Sequence, residues 1–108
     1  MNPAHEIKPG GAKVRATWNG ATLAESDRTL LVEGNHYFPL DDVHTDLLTA
    51  SDTHTHCPWK GDASYYTVSA AGKENPDAAW YYPTPFDEAA PIKDYVAFWR
   101  GVEVAPVS

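Results

Sequence analysis

The chain has very little sulfur: one cysteine and one methionine in 108 residues. A lone cysteine cannot close an internal disulfide, and it excludes a zinc site built on several thiolates. A chain without disulfides suits a reducing compartment, so the cytoplasm is the expected location. Long apolar runs are also missing. No stretch approaches the roughly 18 to 20 residues that a helix needs to cross a bilayer, so no membrane partner is expected. The opening MNPAHEIKPG lacks the apolar centre of a secretory leader, and none is expected. Cations are scarce, with 8 Lys and Arg against 15 Asp and Glu and a formal net charge of −7. Such a chain has no cationic footprint for phosphates, which argues against nucleic acid as a partner.

What the chain does have is aromatic bulk: four Trp, six Tyr and three Phe. A small domain gains much buried area from few such residues. The length suits one domain. Residues 1–11 are polar and carry Pro and Gly, so they read as an extended or disordered strap, with a single globular domain over 12–105. In KVRATW the residues Val14, Ala16 and Trp18 alternate with Arg15 and Thr17, and Asn19-Gly20 follows. That is a hairpin signal, predicting paired strands over 13–18 and 21–26.

Further strands are expected at 29–34, at HYFPL, at 63–70 and at 78–83. Phe38 precedes Pro39 and is thereby pushed out of the α region. Leu40, Val43, Leu47 and Leu48 share one helical face, so LDDVHTDLLTAS predicts the one short helix, capped by Asp41 or Asp42. AGKENP reads as a turn, TPFDEAAPI as a Pro-broken loop with room for one helical turn, and 94–104 as a last strand kinked at Gly101. The expected class is mainly β: a small antiparallel barrel or tent-like sheet with one short helix.

The reactive residue types gather in THTHCPWKGDASYY, Thr53 to Tyr66. Cys57 is a candidate nucleophile, because cations such as Lys60 and His56 close by would lower a thiol pKa. Its plainer reading is a small buried hydrophobe. Lys60 is a candidate catalytic cation or a holder of an anionic ligand, against the plainer reading of a solvated turn lysine. Trp59, Tyr66 and Trp80 are candidate ligand-binding residues, and Tyr65, Tyr81 and Tyr82 are further walls for a flat ligand. Alternation sends about half of these into the core. His54 and His56 lie two apart and are weak metal candidates, with Cys57 or Asp52 nearby and His36 and His44 as remote further ligands; their plainer reading is two exposed polar residues. Arg28 and Glu33 flank a strand and read as a surface pair. No carboxylate pair with a defined separation stands out for acid–base work.

The runs VRATWNGATLAESDR, YFPLDDV, THCPWKGDASYYTV and AWYYPTPFDEAAPIKDYVAFW resemble domain-of-unknown-function family 427, from about residue 5 to about residue 104. The resemblance is most specific around the Cys-Pro-Trp-Lys-Gly turn. It implies a small, mainly β, barrel-like or tent-like protein, and some descriptions of the family carry the label nucleotidyltransferase. The residues that such chemistry uses are not in the expected order. Asp41 and Asp42 are adjacent rather than alternating, no Gly-Ser loop precedes them, and no phosphate-binding glycine motif occurs.

Three readings of function follow. The first is a pocket for a small molecule or anion around Cys57 and Lys60, catalytic or not, with no particular cofactor implied. The second is a non-enzymatic interaction or homodimerisation domain built on aromatic strands. The third is a His/Cys metal site.

Overall fold

The computed structural model describes residues 5–107. Ten strands make up most of it: β1 (Lys8–Pro9), β2 (Val14–Trp18), β3 (Ala21–Ser26), β4 (Leu30–Val32), β5 (Asn35–Pro39), β6 (Leu48–Cys57), β7 (Gly61–Ala70), β8 (Lys73–Tyr81), β9 (Tyr95–Phe98) and β10 (Glu103–Pro106). They form two antiparallel sheets. One has seven strands in the order β1-β4-β5-β9-β8-β7-β6, and the other has three in the order β10-β2-β3. The mainly β expectation holds. The sheets do not close into a barrel. Among the described residues no helix is long and apolar enough to cross a membrane.

Two-residue turns make most of the hairpins. Asn19-Gly20, Glu33-Gly34 and Ala71-Gly72 each have positive φ at both positions, the pattern whose twist matches that of the flanking strands. Only the first announces itself in sequence as Asn-Gly. This is why AGKENP was read as one long turn, whereas the bend is confined to Ala71-Gly72 and Lys73 already belongs to β8.

The predicted helix over LDDVHTDLLTAS does not form. Two single 3-10 turns, Leu40–Asp42 and Thr45–Leu47, take its first half, and Leu48 starts β6. Three of the four apolar residues pack on the sheet, with Val43 buried in the core and Leu47 and Leu48 resting against it, while Leu40 is exposed. Asp42 caps nothing; its carboxylate accepts hydrogen bonds from Ser26 Oγ at 2.5 Å and Arg28 Nη2 at 3.1 Å. The expected last strand over 94–104 is two strands in different sheets. Arg100 and Gly101, at φ of 54° and 88°, turn the chain from β9 in one sheet to β10 in the other. Of the N-terminal strap, Lys8 and Pro9 pair with Leu31 and Leu30, while residues 1–4 lie outside the described residues.

The seven-stranded sheet buries both faces, and the strand period decides which residues go where. On one face Phe38, Val68, Ala79, Val96 and Phe98 pack against Val14, Ala16, Leu23 and Ala24 of the small sheet. On the other, Val32, Tyr37, Ala63, Tyr82 and Ala97 are covered by Trp59, Ala89 and Ile92, with Ile7 against them. That second cover is irregular: a turn, a 3-10 segment (Asp87–Ile92) and the N-terminal segment. It leaves part of the sheet uncovered.

Candidate functional site

Where the second cover stops, a cleft of about 170 Å³ opens, lined by Lys60, Tyr65, Trp80, Tyr82 and Trp99. Its floor follows from strand register. Tyr65 lies opposite Trp80, and Trp80 opposite Ala97. Phe38 pairs with Val96, which sets Tyr37 beside Ala97 on the same face. The row therefore runs Tyr65, Trp80, Ala97, Tyr37; Tyr65 and Trp80 line the cleft, while Ala97 and Tyr37 are fully buried. Tyr82 lies two residues beyond Trp80, and Trp99 two beyond Ala97, so both point to this side.

The far wall is held by a distorted stretch of sheet. In β6 residues 51–53, and in β8 residues 76–78, bulge out of register on either side of β7. Asp77, at φ of 58°, reaches over β7 from the second bulge to the first. Its carboxylate accepts from Ser51 Oγ at 2.5 Å and Thr53 Oγ1 at 2.8 Å. Those hydroxyls hold the Asp77 carboxyl below its ordinary pKa. The Asp77 carbonyl accepts from Trp99 Nε1 at 2.6 Å, which fixes that indole although 42% of the residue is exposed. Arg100 lies over the Trp99 ring at 4.7 Å, and Trp80 meets Trp99 edge to face at 5.8 Å.

The opposite wall is charged. Lys60 leaves the turn after β6, which the carbonyl of Lys60 pins by accepting from Phe86 N at 3.0 Å. Its side chain is only 8% exposed. The ammonium lies 5.6 Å from the Trp59 ring centroid and 5.3 Å from that of Tyr82. It donates to the Glu33 carboxylate, and Tyr37 Oη lies at 3.5 Å. Tyr37 Oη also accepts from Trp80 Nε1 at 3.1 Å. Burial, the largest single effect, lowers the Lys60 pKa, but the bond to Glu33 and the nearby Tyr37 and Tyr82 phenols together outweigh it, and the net shift is upward. Lys60 is thus a fixed cation, unsuited to act as an amine nucleophile or a base. Burial pushes the Tyr82 phenol up to about 12, with Lys60 opposing, so Tyr82 is a neutral hydroxyl at neutral pH.

The other sequence candidates are scattered. Trp59 is buried, with the His5 ring stacked on it at 4.4 Å, and His5 Nδ1 lies 2.7 Å from Glu88 Oε2. Cys57 is half-buried at the end of β6 against the second core cluster, outside the residues lining the cleft. Tyr66 faces the other side of the sheet and stacks on Tyr81 at 4.5 Å. His54 and His56 are exposed on β6 and contact Ser64 and Asp62 at 3.2 and 2.7 Å. Among the described residues no group of three or more His, Cys, Asp or Glu side chains is placed to hold a metal ion.

One lining residue, Trp99, and two partners of Lys60, Tyr37 and Glu33, carry no site signal in the sequence. Trp99 falls within the continuous strand expected over 94–104. Tyr37 carried no motif. Glu33 was read as a surface partner of Arg28, but Arg28 pairs with Asp42. Ala71-Gly72 forms the same kind of turn as Glu33-Gly34, so the turn by itself does not single out Glu33 in the sequence.

A family model described as a domain of unknown function (DUF427) matches residues 6–107. The chain belongs to that family. No curated protein matches it.

Proposed function

We propose that this member of DUF427 binds a small, flat, ring-bearing molecule in the cleft beside Lys60. The ring would lie among Tyr65, Trp80, Tyr82 and Trp99, and a polar acceptor on it would face the ammonium. One observation carries the reading: a buried lysine, paired with Glu33, borders an open hollow whose other walls are aromatic. Pockets of this type combine apolar walls with a few placed polar groups. The size is suitable, since a cavity of about 150 Å³ accommodates benzene.

The reading is one of binding rather than of a named reaction. Lys60 is paired with Glu33, and the cleft offers no adjacent carboxylates to hold metals between phosphates, so nucleotidyl transfer draws no support from it. Cys57 adds no thiol chemistry to the proposal, because it does not line the cleft.

The test is a titration of the protein with single-ring fragments at millimolar concentration, followed by NMR. Saturable shifts centred on Lys60, Tyr65, Trp80, Tyr82 and Trp99, lost in Trp99→Ala, are expected. Shifts elsewhere, or none, would overturn the reading. The alternative of an interaction or homodimerisation domain draws on β6, a ten-residue strand at the end of the seven-stranded sheet. A concentration-independent monomeric mass in solution would count against its dimer form.

A further inference from the structure

We infer that Glu33 sets the charge of the ligand, so that the cleft selects a neutral ring carrying a carbonyl-type acceptor over the matching carboxylate. This rests on the cleft reading above and adds a specificity-determining residue to it.

Glu33 is the first residue of the β4–β5 turn and has φ of 54°, in the left-handed region that side chains other than Asn, Asp and Gly seldom adopt. In return, the turn delivers its carboxylate to an ammonium 27 residues away in sequence. The pair is unevenly buried, with 8% of the Lys60 side chain exposed against 40% for Glu33. The hidden cation is therefore already compensated before a ligand arrives. The remaining groups on it, Tyr37, Tyr82 and Trp59, are uncharged. The whole chain is acidic, at −7, so no long-range field draws anions in.

A ligand carboxylate entering this cleft would approach Lys60 but stand beside Glu33. Attraction and repulsion largely cancel, while the anion still gives up its hydration against aromatic walls. A carbonyl oxygen gives up far less hydration and still accepts from the ammonium. Screening at the exposed Glu33 keeps the discrimination modest, about tenfold in Kd.

Benzamide and benzoate are nearly isosteric and differ in charge, so they are suitable probes. Their dissociation constants would be measured by NMR titration at neutral pH and low salt, on the native protein, Glu33→Gln and Glu33→Asn. The Asn variant removes the charge while suiting the turn, so it guards against loss of the hairpin. The expected result is tighter binding of benzamide by the native protein, and a shift of about tenfold in the benzamide-to-benzoate ratio toward benzoate in both variants. Preference for benzoate in the native protein, or a ratio unmoved by both substitutions, would overturn the role of Glu33 and leave the cleft standing. Absence of saturable binding of either probe by all three proteins would overturn the cleft reading and this inference with it.

Discussion

The Lys60–Glu33 pair can be isolated energetically, because its two members have different surroundings. Replacing Lys60 by Met keeps most of the stem's packing and removes a buried charge, leaving Glu33 free to hydrate through its exposed side. Replacing Glu33 by Gln leaves the ammonium buried with Tyr37 and two ring faces, so this variant is the more damaging. The coupling between them reports the pair itself. At an effective dielectric of about 20, opposite charges about 4 Å apart attract by about 4 kcal/mol. The exposure of Glu33 screens that to about 1–2 kcal/mol, still above the ordinary value for a surface pair. Urea unfolding of the native protein, K60M, E33Q and the double variant gives the cycle. In a domain of this size each kcal/mol moves the thermal midpoint by about 4–8 °C, so thermal unfolding checks the same quantity. A coupling of about 0.3 kcal/mol or less would refute the reasoning, since the ammonium would then owe its place to packing alone.

Trp80→Phe removes the donor to Tyr37 Oη and is expected to cost about 1–2 kcal/mol in chemical denaturation, part of which Tyr37→Phe in the same chain restores. Gly61→Ala places a Cβ 3.4 Å from the backbone of Thr84, Pro85 and Phe86 at φ of 115°, and a loss of about 1–3 kcal/mol is expected in the same assay. Ser51 and Thr53 hold the Asp77 carboxyl below its ordinary pKa, so its contribution to stability is present above that ordinary value and fades as the pH falls through the lower, folded-state value. Asp77→Asn should therefore flatten the acid limb of a stability–pH profile, and an unchanged limb would show that the bulge tie contributes nothing there.

Legibility in the sequence followed locality. The Asn19-Gly20 hairpin was readable because both turn residues and the alternation on either side signal it within a dozen residues. The phantom helix at 40–51 shows the limit. Apolar residues at helical offsets can arise from two successive 3-10 turns, each followed by a residue packed on a sheet-built core, and periodicity cannot separate the cases. The site divides in the same way. Lys60, Tyr65, Trp80 and Tyr82 were legible because a turn motif and aromatic strands mark them. Trp99 lines the cleft just ahead of a change of sheet at Arg100-Gly101, and Glu33 reaches Lys60 from a left-handed turn. Neither event has a local pattern strong enough to read. Tyr66 and Tyr65 were indistinguishable as neighbours until register gave each a face.

The two covers of the large sheet differ in kind, and that difference separates architecture from recognition. One face is sealed by the three-stranded sheet, held by its hydrogen-bonded ladders. The cleft face is sealed by a turn, a 3-10 segment and the segment leading into β1, docked by a few contacts. Insertions or exchanges in those segments would redraw the mouth of the cleft while leaving the sandwich intact. The same scaffold could then present differently shaped cavities above an unchanged aromatic floor, with selectivity evolving in the parts of the chain that stability constrains least.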